Sequence, residues 1–119
     1  MLKLKDVKYS EAEITKEIRS YLFTKGIQHW KQFQSLGSPK GISDIIGCVK
    51  CQICQPCSCP KPFGRFLAIE VKTDSGKPTE NQELFIERFR RAGGICFVAR
   101  SADDVEKELD KSLSKEYEK

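Results

Sequence analysis

The stretch FLAIEVKTDSGKPTENQELFIERFRRAGGICFVAR, residues 66–100, decides the predicted fold. It starts with a short apolar run and continues into a helical pattern that opens at Thr79 and closes at Gly93-Gly94. Thr79 and Gln82 have the spacing of a capping box, which marks a helix start. A second apolar run, ICFVAR, follows the two glycines. A strand, a helix and a strand in this order predict a right-handed crossover between parallel neighbours.

The residues upstream of this unit predict one helix and two further strands. A capping box at Ser10 and Glu13 opens the helix, Gly26 ends it, and its apolar stripe recurs at helical spacing. The segments 27–33 and 42–49 have the composition of strands, so the apolar run that opens the crossover unit, residues 65–72, is the third strand. Downstream of the unit, a last amphipathic helix opens at Ser101. The sequence therefore predicts a single α/β domain over residues 1–119, with a mixed sheet flanked by helices.

The charge distribution points to a polyanionic partner. The 119 residues carry a net charge of +4, and residues 101–119, with seven acids and four lysines, contribute −3, so residues 1–100 carry +7. A basic body favours nucleic acid, and ordinary solubilising charge is the alternative. No apolar run approaches the roughly 20 residues of a membrane span, and the N-terminus lacks a signal-peptide stretch. We therefore expect a cytoplasmic protein with no membrane partner.

Three charged residues in predicted strands suggest a site. Glu70 and Lys72 are two residues apart and so share one face of their strand. They could form a simple ion pair, or they could be half of a metal site. Asp44, among the isoleucines of the preceding strand, is costly to bury unless it is paired or binds a cation. If these two strands pair, Asp44 and Glu70 converge, and hard ions such as Mg²⁺ prefer such oxygen ligands.

The first helix offers a third acid. At 100° per residue, Glu11 falls inside the apolar stripe, whereas Glu13 falls on the opposite face and already has a capping role. Glu11 is therefore the helix acid that we expect to face the sheet.

Taken together, these motifs resemble a known family. GISD around Asp44, the Glu70-Val71-Lys72 triplet, the downstream Gln82 and AGGICFVARSADDV occur in the order found in the VRR-NUC family of the PD-(D/E)XK nuclease superfamily. The resemblance covers about residues 10–109, apart from a cysteine-rich insert. Ser43 stands where many superfamily members have proline. The Asn-Ser-Gly that many relatives carry before this aspartate is missing.

The resemblance implies a restriction-endonuclease-like αβββαβ core and an endonuclease that uses Mg²⁺ or Mn²⁺ to hydrolyse DNA phosphodiesters. Asp44 and Glu70 match the metal-binding carboxylates, and the Val71 carbonyl matches a further ligand. Lys72 matches the lysine that activates water or steadies phosphate charge, and Glu11 matches the assisting helix acid. Gln82 matches the glutamine of the following helix, although it could equally serve only as a cap. Small relatives often form homodimers and prefer branched, flapped or Holliday-junction DNA, in repair or recombination.

A cysteine-rich insert, residues 48–59, separates the second and third predicted strands. Clustered cysteines in an intracellular protein indicate metal more than disulfides, and this spacing can supply four thiolates to Zn²⁺. An Fe–S cluster and free reduced thiols are the alternatives, but the spacing does not match the ferredoxin pattern. The five candidate ligands are Cys48, Cys51, Cys54, Cys57 and Cys59. Cys96 lies apart, and we expect it to be a buried core thiol.

Two other functions stay open at this point. The chain could be a non-catalytic DNA-binding module with a zinc-stapled loop, or a nuclease-like structural subunit. The presence of Asp44, Glu70 and Lys72 together favours the nuclease, since a module that only binds DNA has no need of all three.

Overall fold

A computed structural model describes residues 8–50 and 63–114 of the chain. These residues form a four-stranded sheet with helices on both faces, in the predicted order of helix, three strands, helix, strand and helix. The elements are α1 (Glu11–Thr24), β1 (Gln28–Lys31), β2 (Ile45–Lys50), β3 (Gly64–Val71), α2 (Glu80–Arg91), β4 (Ile95–Ala99) and α3 (Ala102–Ser114). None of these helices is long and apolar enough to cross a membrane.

The sheet is mixed, as the sequence predicts. Its strand order is β1-β2-β3-β4, with antiparallel pairing between β1 and β2 and between β2 and β3. β3 and β4 pair in parallel, joined by the α2 crossover. The crossover places the end of β3 in the interior of the sheet, between β2 and β4, where a polar side chain is shielded from water on both sides.

Alternation along the strands divides the core between the two faces of the sheet. Ile45, Leu67, Ile69 and Val71 point to one face, where they pack with Ile14, Ile18 and Leu22 of α1 and Val105 and Leu109 of α3. Ile46, Ala68 and Cys96 point to the other, where they pack with Phe85 and Ile86 of α2. Burying one such aliphatic or aromatic side chain contributes about 1.5–3 kcal/mol, so the stripe on each helix fixes which face it covers.

Both predicted capping boxes are confirmed in atomic detail. Ser10 caps α1 and Thr79 caps α2, and each makes the reciprocal bonds of a capping box with the third helical residue, Glu13 or Gln82. Cys96 is buried, as predicted.

Two strand boundaries differ from the prediction at important residues: β3 ends at Val71, so Lys72 directly follows the strand, and β2 begins later than predicted. Asp44 is not inside a strand, because β2 begins at Ile45 and ends at Lys50. The Asp44 carbonyl still accepts a hydrogen bond from the Gln32 N–H at 2.7 Å. On the β3 side, however, the Asp44 carboxylate accepts a hydrogen bond from the Val71 N–H. In a regular antiparallel ladder this N–H would donate to a backbone carbonyl. The exchange of a backbone partner for a carboxylate ends the strand here.

The cysteine-rich prediction lies mostly beyond the described part of the chain. Cys48 is exposed near the end of β2. Cys51, Cys54, Cys57 and Cys59 lie outside the described residues. The metal content of this segment therefore stays a prediction.

Candidate active site

The pairing of β2 with β3 brings Asp44 and Glu70 together. Ile45 pairs with Ile69, so continuing the antiparallel register by one residue sets Asp44 opposite Glu70. Because side chains alternate along a strand, Asp44, Glu70 and Lys72 all belong to the sheet face that α2 covers. Directly opposed residues in an antiparallel pair have Cβ atoms about 4.5–5.5 Å apart, which is close enough for two carboxyl groups to interact.

Asp44 is held in place by the end of β3. Its Oδ2 accepts a hydrogen bond of 2.7 Å from the Val71 N–H. The Lys72 N–H donates to Ala99 of β4, and neighbouring residues of a strand direct their backbone groups to opposite sides. The Val71 carbonyl therefore points away from β4, to the side on which Asp44 lies. The Val71 carbonyl must point to this side if it is to bind a metal together with Asp44 and Glu70, as predicted.

Glu70 is a buried carboxyl group with an unused oxygen. Its side chain is 2% exposed, and Oε1 has no hydrogen-bond partner among residues 8–50 and 63–114. Oε2 lies 3.8 Å from Lys72 Nζ. Burial, together with a hydrogen bond to the Asp44 carboxyl and the charge of that carboxyl, raises the pKa of Glu70 to about 8. The charge of Lys72 acts in the opposite direction and does not offset the rise.

This donor set fits a hard divalent cation. Two adjacent carboxylates repel each other when both are ionised, and a cation between them removes the repulsion and satisfies the orphaned Glu70 oxygen. No group of three His, Cys, Asp or Glu side chains that could hold a metal occurs in the described ranges, 8–50 and 63–114. Two carboxylates plus a backbone carbonyl and water form the kind of partial set that Mg²⁺ accepts.

Glu11 is the first residue of α1, and its charge acts on Glu70. Its side chain is exposed, yet its negative charge contributes to the raised pKa of Glu70. Glu13 instead accepts the Ser10 N–H at 3.0 Å, and its hydrogen bonds to Ser10 lower its pKa. The predicted difference between the two acids thus has a structural counterpart, and the catalytic role of Glu11 stays a prediction.

Gln82 serves as a cap, with its oxygen already engaged. Gln82 Oε1 accepts the Thr79 N–H at 2.8 Å, and the Gln82 N–H donates to Thr79 Oγ1 at 3.2 Å. Its amide nitrogen and the second lone pair of its oxygen remain for a contact with substrate. His29 pairs with Gly47 on the opposite face of the sheet from Asp44, which separates it from the site.

Two residues that position the site were not singled out from the sequence. Gly41 has a positive φ of 74°, and a Cβ at this position would lie 2.2 Å from the Asn81 carbonyl oxygen. The loop before Asp44 therefore rests directly on the first turn of α2. Arg100 donates from Nη1 to the carbonyls of Thr73 and, at 2.7 Å, Gly76. It holds the loop that follows Lys72. GISD includes this glycine, but only the turn and the contact explain it.

A mixed four-stranded sheet flanked by helices, with paired carboxylates and a lysine at the end of β3, is consistent with a nuclease-like core. Residues 2–103 match the VRR-NUC domain, which is most of the chain. The chain therefore belongs to the VRR-NUC family and is a nuclease-type DNA-processing domain. Searches of curated proteins and of solved structures find no match.

Proposed function

We propose that this chain is a divalent-metal-dependent DNA endonuclease that hydrolyses phosphodiester bonds with Mg²⁺ or Mn²⁺. The observation that carries the proposal is the buried Glu70 carboxyl, with one oxygen lacking a partner, beside Asp44 and 3.8 Å from Lys72. A buried polar group without a partner costs about 1–3 kcal/mol, so a fold that keeps one has a use for it.

Each residue of the site has a distinct task in this proposal. Asp44 and Glu70, with the Val71 carbonyl, would hold the metal. When bound, the metal acts as a Lewis acid on the phosphate and lowers the pKa of a coordinated water. Lys72 lies beside the phosphate position and would stabilise the negative charge that builds up there. The cap at Gln82 fixes the first turn of α2, against which the Asp44 loop rests.

The basic body of the chain provides the affinity for DNA. Between Tyr21 and Ile69 the sequence has six lysines and arginines, and Asp44 is the sole acid. Contacts of this kind bind the phosphate backbone irrespective of sequence and weaken as salt is raised. We therefore expect binding to survive the loss of the catalytic carboxylates. We further propose that the protein prefers branched or flapped DNA and forms a homodimer. We also propose that it is located in the cytoplasm.

The alternative is a module that binds DNA without cutting it, and one experiment separates the two. Purified wild-type protein and Asp44→Asn are incubated with linear, flapped and four-way DNA, in Mg²⁺, in Mn²⁺ and in EDTA. Asparagine retains an oxygen that can accept the Val71 N–H, so this variant should fold. We expect metal-dependent cleavage by the wild type, none by the variant, and similar DNA binding by both. Equal cleavage by the two proteins would assign the activity to a contaminant or to another site.

A further inference from the structure

An exposed tryptophan lies on the same face of the sheet as the two carboxylates. Trp30 pairs with Ile46, which is two residues from Asp44, so Trp30 and Asp44 are diagonal neighbours across β1 and β2. Such neighbours are about 7–8 Å apart, within reach of an aromatic side chain. Ile46 is buried, but Trp30 is 54% exposed. A large aromatic ring is therefore presented to solvent next to the proposed metal site.

The ring of Trp30 is held in a defined orientation. Its Nε1–H donates to Gln32 Oε1 at 2.8 Å, and Gln32 Nε2 donates to the Phe33 carbonyl at 3.2 Å. The Gln32 N–H in turn donates to the Asp44 carbonyl at 2.7 Å. The position of the indole is thus tied through one residue to the backbone of Asp44. A ring fixed in this way loses little conformational freedom when a ligand stacks on it.

The surroundings of the ring favour a negatively charged partner. α2 packs against β3 and β4, and among residues 8–50 and 63–114 no helix covers the β1 end of this face. Lys72 lies beside the carboxylates on the same face as the ring, whereas Lys31, the neighbour of Trp30 in β1, points to the opposite face. An exposed aromatic ring near positive charge is the combination by which proteins bind unpaired nucleic acid. A second copy of the chain would bring the same positive charges to this surface.

We propose that Trp30 stacks against an unpaired base of DNA next to the phosphate that would bind the metal at Asp44 and Glu70. In an intact duplex the faces of the bases are covered by their neighbours, whereas a single-stranded end or flap, or a base displaced from the stack, exposes one. The substrate class is then DNA with unpaired nucleotides at the cleavage position. This inference rests on the proposed nuclease function for its place in the reaction, but the stacking itself is measurable without cleavage.

The first test uses the fact that Trp30 is the sole tryptophan in the sequence. Its fluorescence is followed in EDTA while oligothymidylate, or a blunt hairpin duplex containing the same number of nucleotides, is added. We expect strong quenching by the single strand and little by the duplex. Equal quenching by both, or no quenching by the single strand although anisotropy of a labelled strand shows binding, overturns the proposal.

Variants then measure how much the ring contributes. Stacking is lost in Trp30→Ala, so affinity for the single strand should fall roughly 5- to 150-fold, while affinity for the duplex changes little. Trp30→Phe keeps a ring and should recover much of the loss. Phe23→Ala is the matched control, because Phe23 is 78% exposed and its ring contacts His29 on the other face. A similar loss in Phe23→Ala would mean that general surface apolarity is responsible.

Cleavage and oligomeric state complete the test. If the wild type cuts in Mg²⁺ and Trp30→Ala retains its rate on flapped DNA, the function stands and the stacking proposal fails. If quenching occurs but no DNA is cut, stacking stands and the nuclease proposal fails. Sedimentation at several protein concentrations provides the last control. Association that buries Trp30 in wild type, and that Trp30→Ala abolishes, would make a second copy the occupant and overturn the proposal.

Discussion

Replacing Gly41 by alanine should damage the site without touching any catalytic side chain. The new Cβ would lie 2.2 Å from the Asn81 carbonyl oxygen and 2.3 Å from its carbonyl carbon, whereas ordinary contact begins at 3.4 Å. The loop or the first turn of α2 must therefore move by about 1 Å, the difference between these distances. Misplacement by about 1 Å can cost roughly 10²-fold in rate. The positive φ adds about 1–2 kcal/mol of destabilisation in an L-residue.

Gly37→Ala is the matched control for this prediction. Gly37 also has a positive φ, of 95°, in the same segment before Asp44, but a Cβ there meets nothing within 4 Å. It should lose about 1–2 kcal/mol of stability and keep most of its cleavage rate. Because the atoms facing Gly41 belong to the Asn81 backbone, truncating Asn81 cannot rescue Gly41→Ala.

The assay is the rate of Mg²⁺-dependent cleavage, with the free energy of unfolding measured by chemical denaturation. If Gly41→Ala and Gly37→Ala match each other in both quantities, the contact between the loop and α2 does not position Asp44, and the argument is refuted.

Three further predictions follow from the site and the cysteine insert. Lys72→Ala should lower the cleavage rate by roughly 10²–10³-fold, because lysine supplies positive charge beside the phosphate. It should keep Mn²⁺ binding, measured by calorimetry, because lysine is not a metal ligand. Loss of both cleavage and Mn²⁺ binding would mean that Lys72 has a structural role. Glu11→Gln should reduce the rate by about 10–100-fold with little change in stability, whereas Glu13→Gln can still cap and should be nearly silent in both assays; the reverse pattern would show that the helix phase is wrong. As purified, the protein should carry about one zinc per chain by elemental analysis. Cys51→Ser combined with Cys54→Ser should remove the zinc and weaken DNA binding while some Mg²⁺-dependent cleavage remains; a folded double variant that binds DNA normally but cannot cut would place the insert in the active site.

Much of the architecture could be predicted because its signals are local. The capping boxes at Ser10 and Thr79 depend on side chains three residues apart, and both form. Strand alternation assigned Glu70 and Lys72 to one face, and their side chains do lie together, with Lys72 Nζ 3.8 Å from Glu70 Oε2. Family motifs then narrowed the class of protein, and the match over residues 2–103 confirms that class.

The rest depends on contacts between residues that are far apart in sequence. Asp44 takes the N–H of Val71, 27 residues away, and this contact moves the start of β2 past the predicted position. Arg100 reaches loop carbonyls 24 and 27 residues away. In the sequence Trp30 reads as an ordinary strand residue, because the exposure of its ring depends on how much of the sheet α2 covers. Periodicity carries no information about such long-range choices.

The location of a bound metal tests the central claim most directly. Crystals of the protein soaked in Mn²⁺ should show an anomalous peak for a manganese ion coordinated by Asp44 and by Glu70 Oε1, with the Val71 carbonyl as a further ligand. The same soak of Glu70→Gln crystals should give no such peak, since the amide removes a charged ligand. Manganese bound elsewhere, with Asp44 and Glu70 left in contact with each other, would contradict the account.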